Sequence, residues 1–179
     1  LSFFGVAITL IYPYLKRFFA FPQAGLGIAF SFGVPMAYAA QRAALPAEGW
    51  ALMAATFFWI IAYDTEYAMV DRDDDIKLGV NSSAIALGRF DVAAVMLCHA
   101  AFLGIMGAIG MWQRLGPLYY GGLLVAGALA AYQYRLIKDR SREDCFSAFL
   151  NNNWAGAAVF AGLMLDLMIH TRVFVVPAR

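Results

Sequence analysis

The stretch Phe57-Phe58-Trp59-Ile60-Ile61-Ala62-Tyr63-Asp64-Thr65-Glu66-Tyr67-Ala68-Met69-Val70-Asp71-Arg72-Asp73-Asp74-Asp75 decides how this chain is read. A long apolar run passes directly into a segment carrying five aspartates and one glutamate. Negative charge concentrated at a membrane boundary repels itself and costs stability. A bound cation explains it most simply, and a cation site suits an anionic, phosphorylated substrate.

The membrane boundary is inferred from the rest of the chain. Hydrophobic residues make up 63% and charged residues 14% of the 179 positions, outside the balance of a soluble globular domain. At roughly 20 apolar residues per span, complete spans are expected at 21–40, 50–67, 84–111, 118–137 and 154–170, with a truncated one opening the chain. The fold class is therefore all-α: a polytopic transmembrane helix bundle of about five complete spans plus a truncated first span, forming one domain over 1–179. The chain opens at Leu1 in mid-hydrophobic segment, without an initiator Met or a basic flank. It reads as the C-terminal portion of a longer protein.

A net charge of +1 gives no indication of a nucleic-acid partner. Its distribution says more. Lys16, Arg17, Arg72, Lys77, Arg89, Arg135, Lys138, Arg140 and Arg142 fall in alternate loops, against Arg42, Arg114, Arg172 and Arg179 in the others and the C-terminus. By the positive-inside rule the acidic run, Lys16–Arg17 and the 135–142 loop share the cytoplasmic face. Cys98 and Cys145 lack metal or redox spacing and read as free thiols.

Small residues at Gly25, Ala29 and Gly33, and at Ala158 and Gly162, recur every four positions and suit close helix packing. Pro35 should kink its span, either widening a cavity or shaping the bundle. Trp50, Trp112, Tyr119, Tyr120 and Trp154 read as interfacial anchors. Phe30, Phe32, Phe57 and Phe58 suit packing or lipid contact better than the lining of a lipid-tail tunnel.

If the helix continues through the acidic run, Asp64, Asp71 and Asp75 lie on one stripe. Asp71 and Asp75, one turn apart, can jointly reach a Mg²⁺, which takes one or two protein carboxylates and leaves its other positions to water and substrate phosphate. Asp64 lies about 10 Å deeper; it either contacts a polar headgroup or is a packing residue satisfied by Thr65 or Tyr63. Asp73 and Asp74 fall off the stripe and read as solvated charges facing Arg72, Lys77 or water. Lys16 and Arg17, on the same face, complete a diphosphate clamp. His99 and His170 have no ligand spacing and receive no role. No Gly-rich phosphate loop or nucleophile elbow is present, which removes nucleotide hydrolysis and serine chemistry. A divalent-cation transporter is the alternative from another class, but only Asp64 and Asp166 would continue its pathway through the spans.

The segment Asp64 to Gly79 closely resembles the second aspartate-rich motif of the UbiA family of intramembrane prenyltransferases. Tyr12-Pro13-Tyr14-Leu15-Lys16-Arg17, Pro22-Gln23, Pro35-Met36-Ala37 and Asn151-Asn152-Asn153-Trp154 add to the resemblance. The resemblance implies Mg²⁺-dependent transfer of a polyprenyl group from polyprenyl diphosphate to the ring of 4-hydroxybenzoate, ortho to the phenol, in ubiquinone biosynthesis. Homogentisate, dihydroxynaphthoate or haem are alternative acceptors. It implies Asp71 and Asp75 as metal ligands and catalytic residues, Arg17 at the leaving group, and Lys16, Arg17, Asp64 and Lys77 as substrate contacts. The family's first aspartate-rich motif has no match here, so helices upstream of Leu1 are expected to be required. The bilayer implied is the bacterial or mitochondrial inner membrane, with the site facing the cytoplasm or matrix.

Overall fold

In the computed structural model the chain is described from Ser2 to Phe174; the side chains of residues 2, 9, 12, 13, 15, 16, 18 and 170–174 lie outside the description. Among the described residues every regular element is helical: α1 (Ser2–Phe18), α2 (Pro22–Ser31), α3 (Gly33–Arg42), α4 (Ala47–Leu78), α5 (Ser83–Leu87), α6 (Asp91–Trp112), α7 (Pro117–Ile137) and α8 (Arg142–Phe174). Helices α4 and α6 pack together, α8 packs on both α4 and α7, and α2 closes the other flank of α4 with α1 beyond it.

The acidic run is helical throughout. α4 is one helix of 32 residues, about 48 Å long at 1.5 Å per residue, so its last three turns project past the apolar segment. Gly79 stops it: φ is +67°, and the amides of Gly79 and Val80 donate back to the carbonyls of Ile76 and Asp75. That is a Schellman cap, which the missing Cβ of glycine makes inexpensive.

Two expected spans are broken. Residues 21–40 divide into α2 and α3 at Phe32, three residues before Pro35, because the proline has no N–H for the carbonyl of Ser31 and its ring crowds that carbonyl. The 84–111 span is bent at Gly88–Phe90, where Gly88 has φ +54°. Taken through that bend, Ser83–Trp112 is long and apolar enough to cross a membrane, as is Arg142–Ile169. α4 and α7, at 32 and 21 residues, are also long enough, but α4 is diluted by its acidic end and α7 by Gln133, Arg135 and its tyrosines.

The packing glycines are partly different from those expected. A Cβ at Gly122 would come 2.6 Å from the carbonyl oxygen of Ala158 and 3.1 Å from Gly162 Cα, so the Ala158/Gly162 stripe is the α7–α8 contact. On α2 the close approach falls at Gly27, whose Cβ would meet Phe57 at 2.9 Å, while Gly33 has open space. Trp50, Trp112 and Trp154 are exposed, whereas Tyr119 is buried and donates its hydroxyl to the carbonyl of Met106 at 2.8 Å. Tyr119 is therefore a packing residue and no interfacial anchor. Cys98 and Cys145 are free.

Candidate functional site

The chain's alternation gathers its polar ends. α1 finishes at Phe18, just before α2 begins at Pro22; Gln23 in the first turn of α2 accepts the amide of Ser83 at 2.8 Å. Ser83 in turn donates to Thr65 at 3.0 Å and follows the cap of α4. The end of α1 that carries Arg17 and the acidic end of α4 therefore share one end of the bundle. The α7–α8 turn joins them there, since Arg142 pairs with Asp74 at 3.0 Å.

On the unbroken α4, Asp71 and Asp75 are one turn apart on the same face. Asp75 is buried and Asp71 half-buried, and among the described residues Asp71 has no ion-pair partner. Two hard carboxylates one turn apart match what Mg²⁺ asks of a protein when a phosphorylated substrate and water complete its shell. Among the described residues no group of three or more His, Cys, Asp or Glu side chains could hold a metal, so a metal here would depend on ligands beyond this helix. Asp64, half-buried, lies deeper on the same stripe; its neighbour Thr65 is engaged by Ser83.

The other acidic residues have structural partners. Asp73 is exposed, as expected. Asp74 accepts from Arg142 at 3.0 Å and Lys77 at 3.4 Å, and these hydrogen bonds, Arg142 first, hold its carboxyl below the usual range. Lys77 is thereby paired within its own helix end. Arg72 turns away from Asp73 and Asp74 to Asp91, 3.2 Å away. Arg17 is exposed at the end of α1, and the Lys16 side chain lies outside the described residues. Asp166 is buried and accepts the amide of Gly116 at 2.7 Å, fixing the turn before α7; it continues no ion pathway from the acidic end.

An apolar cavity of about 400 Å³ lies beside α4, lined by Phe30, Thr56, Trp59, Ile60, Tyr63, Phe149, Asn152 and Asn153. Phe30 thus takes the lining role that the sequence disfavoured, because α2 and α8 both pack on α4 and flank this face of it. Thr56, Ile60 and Tyr63 continue at helical spacing through Tyr67 to Asp71. The cavity wall and the acidic pair thus belong to one stripe, with Asp71 about 12 Å above Tyr63 along the axis.

Two clusters escaped the sequence reading. Asp91 is fully buried and clamped by Arg140 and Arg72; its hydrogen bond raises the Arg140 guanidinium further. Glu66, His99, Asn152 and Trp59 form a polar chain inside the bundle. A signal for the second existed in the sequence, since Asn151-Asn152-Asn153 sits in an otherwise apolar helix and buried polar groups there need partners.

A helical bundle that spans a membrane, with an acidic helix end above an apolar cavity, is the class these features define. The profile of the UbiA prenyltransferase family matches residues 1–161, and the chain belongs to that family. It is 59% identical over 95% of its length to a 4-hydroxybenzoate octaprenyltransferase of Nitrosospira multiformis, covering 59% of that protein. It is 56% identical over 94% of its length to the one of Azoarcus sp., again covering 59%. Among solved structures, a UbiA homolog from Aeropyrum pernix K1 aligns with a TM-score of 0.77 and 26% identity, over 93% of this chain and 63% of that one. The chain thus spans about three fifths of the length of the curated relatives it matches.

Proposed function

We propose that the protein, at the full length of its relatives, transfers a polyprenyl group from polyprenyl diphosphate to 4-hydroxybenzoate, at the ring carbon ortho to the phenol, for ubiquinone biosynthesis. The observation that carries this is the single α4 stripe joining the Asp71/Asp75 pair to the apolar cavity. One stripe then serves both halves of the donor, diphosphate at its acidic end and isoprenoid tail below. The 4-hydroxybenzoate octaprenyltransferases at 59% and 56% identity favour this acceptor over homogentisate, dihydroxynaphthoate or haem.

In this reading Asp71 and Asp75 would hold Mg²⁺, which would neutralise the diphosphate and make it a better leaving group. Arg17, with Lys16 beside it, supplies hydrogen-bond donors to the phosphate oxygens; Lys77 and Asp64 flank the site. The allylic C–O bond breaks, its electron pair leaving with diphosphate. The electron-rich ring carbon attacks the tail's first carbon, and the ring proton is then lost. Ile60, Phe30 and Phe149 give the tail an apolar enclosure. The site faces the cytoplasm or matrix side of an inner membrane, an orientation that the basic residues at this end favour.

The test is transfer from a labelled prenyl diphosphate across a panel of acceptors, using membranes that hold the full-length protein. Label entering 4-hydroxybenzoate supports the reading; label entering another acceptor alone refutes it. Arg17→Ala should raise the donor concentration needed for half-maximal rate or lower the maximal rate. Neither change would remove Arg17 from the diphosphate site.

A further inference from the structure

Behind the cavity wall a line of polar side chains crosses the apolar interior from α6 through α4 to α8. Glu66 is fully buried, and its Oε2 accepts from Asn152 Nδ2 at 2.7 Å. Asn152 Nδ2 also donates to the carbonyl of Ala148 at 3.1 Å, which leaves its Oδ1 to accept from Trp59 Nε1 at 3.0 Å. At the far end Glu66 Oε1 faces His99 Nε2 across 3.6 Å. Neither of these two buried atoms has a hydrogen-bond partner among the described residues. Such groups are costly to bury alone; an approach of about half an ångström lets His99 Nε2–H donate to Glu66 Oε1 and answers both.

Trp59 is what this chain holds in place. Its ring stacks on Phe102, with centroids 5.5 Å apart and planes 20° apart. Its outer edge occupies the space above Gly156, where a Cβ would come 2.6 Å from Trp59 Cη2. Trp59 and Asn152 both line the cavity. Trp59 lies twelve residues before Asp71, about 18 Å down the helix axis. That depth is far from a reacting carbon at the acidic end and level with the distal part of a long tail.

We propose that Glu66 and His99 are positioning residues which, through Asn152, hold Trp59 at one setting in the cavity wall and so set the isoprenoid length the cavity accepts. The inference rests on the prenyl-transfer reading of the same cavity. A two-isoprene donor is too short to reach Trp59, whereas an eight-isoprene donor must pass it. Loosening Trp59 therefore changes the use of the long donor and spares the short one.

The experiment compares the full-length protein with its Glu66→Ala, Glu66→Gln and Gly156→Ala variants, using both donors with 4-hydroxybenzoate. Glu66→Ala should change the ratio of kcat/KM for long over short donor by about tenfold, the scale of discrimination by shape in an apolar pocket. Glu66→Gln keeps an oxygen for Asn152 and should restore the ratio. Gly156→Ala displaces the Trp59 ring without touching a polar group and should shift the ratio even if Glu66→Ala does not accumulate. The second readout is the indole N–H resonance of Trp59 in ¹⁵N-labelled protein, assigned with Trp59→Phe; it should move in Glu66→Ala and stay in Glu66→Gln. An unmoved resonance, an unchanged ratio, or equal loss with both donors overturns the proposal. If the unaltered protein transfers neither donor, the prenyl-transfer reading fails, and the proposal about tail length fails with it, whereas the resonance still reports whether Glu66 holds Trp59.

Discussion

Arg140 holds Asp91 from two sides, with Nε 3.0 Å from each carboxylate oxygen and Nη2 2.6 Å from Oδ1. Arg140 belongs to the α7–α8 turn and Asp91 opens α6, so the pair ties three helices together beside the acidic end of α4. Arg72 of α4 adds a third attachment. Asp91 itself is fully buried, which makes its charge dependent on these partners.

Arg140→Ala should therefore lower the stability of the protein by about 2 kcal/mol, the scale of a hydrogen bond to a charged group. The loss stays below that of a stranded buried charge because Arg72 and the Val92 amide still reach Asp91. Unfolding in detergent measures it. Arg140→Lys should recover little, since a point charge cannot reproduce the planar fork.

Asp71→Ala and Asp75→Ala should each lower turnover by about a hundredfold or more, as expected when charge stabilisation at a leaving group is removed. Chelation of divalent cations should do the same to the unaltered protein and add little to either variant. Asp75→Asn is the control for the buried member, keeping its shape while removing the charge. Near-normal rates in a membrane assay with saturating Mg²⁺ would remove the pair from the reaction.

The fold was legible where one signal governed. The spacing of Asp64, Asp71 and Asp75 depends only on α4 staying helical, which it does as far as Leu78. Positions set by tertiary packing were not legible. Gly27 resembles Gly25 and Gly33 in sequence, and only the placement of Phe57 and Ile61 distinguishes it. Arg72 has acidic neighbours in sequence but a partner nineteen positions away, because Asp91 returns to α4 only through the bend at Gly88. His99 showed no ligand spacing, yet it faces Glu66, thirty-three positions earlier in the chain.

Gly122→Ala should destabilise the bundle by about 1–3 kcal/mol, the range for overpacking a close contact. The obstruction is the backbone of Ala158 and Gly162, which has no rotamer to yield. Gly104→Ala, with open space around its position, serves as the matched control and should be neutral or slightly stabilising. Comparable losses at both positions would remove the α7–α8 contact as the cause, since helix propensity alone favours alanine over glycine.

Arg142→Ala should alter how the protein responds to acid. The hydrogen bonds from Arg142 and Lys77 hold the Asp74 carboxyl below its ordinary value of 3.8. A carboxyl whose pKa is lower folded than unfolded stabilises the fold above the unfolded value, and that contribution is lost as pH falls through the folded value. Between neutral pH and about 4, the difference in stability between the two proteins should stay constant. Below 3.8 it should shrink, because the unaltered protein has the larger contribution to lose, the variant keeping only that of Lys77. Asp74 is largely exposed, so the difference is small and falls further with added salt. Unfolding followed against pH at low and high salt checks both features; a gap between the proteins that persists unchanged into acid would mean Arg142 acts through its packing on α8 and not through Asp74.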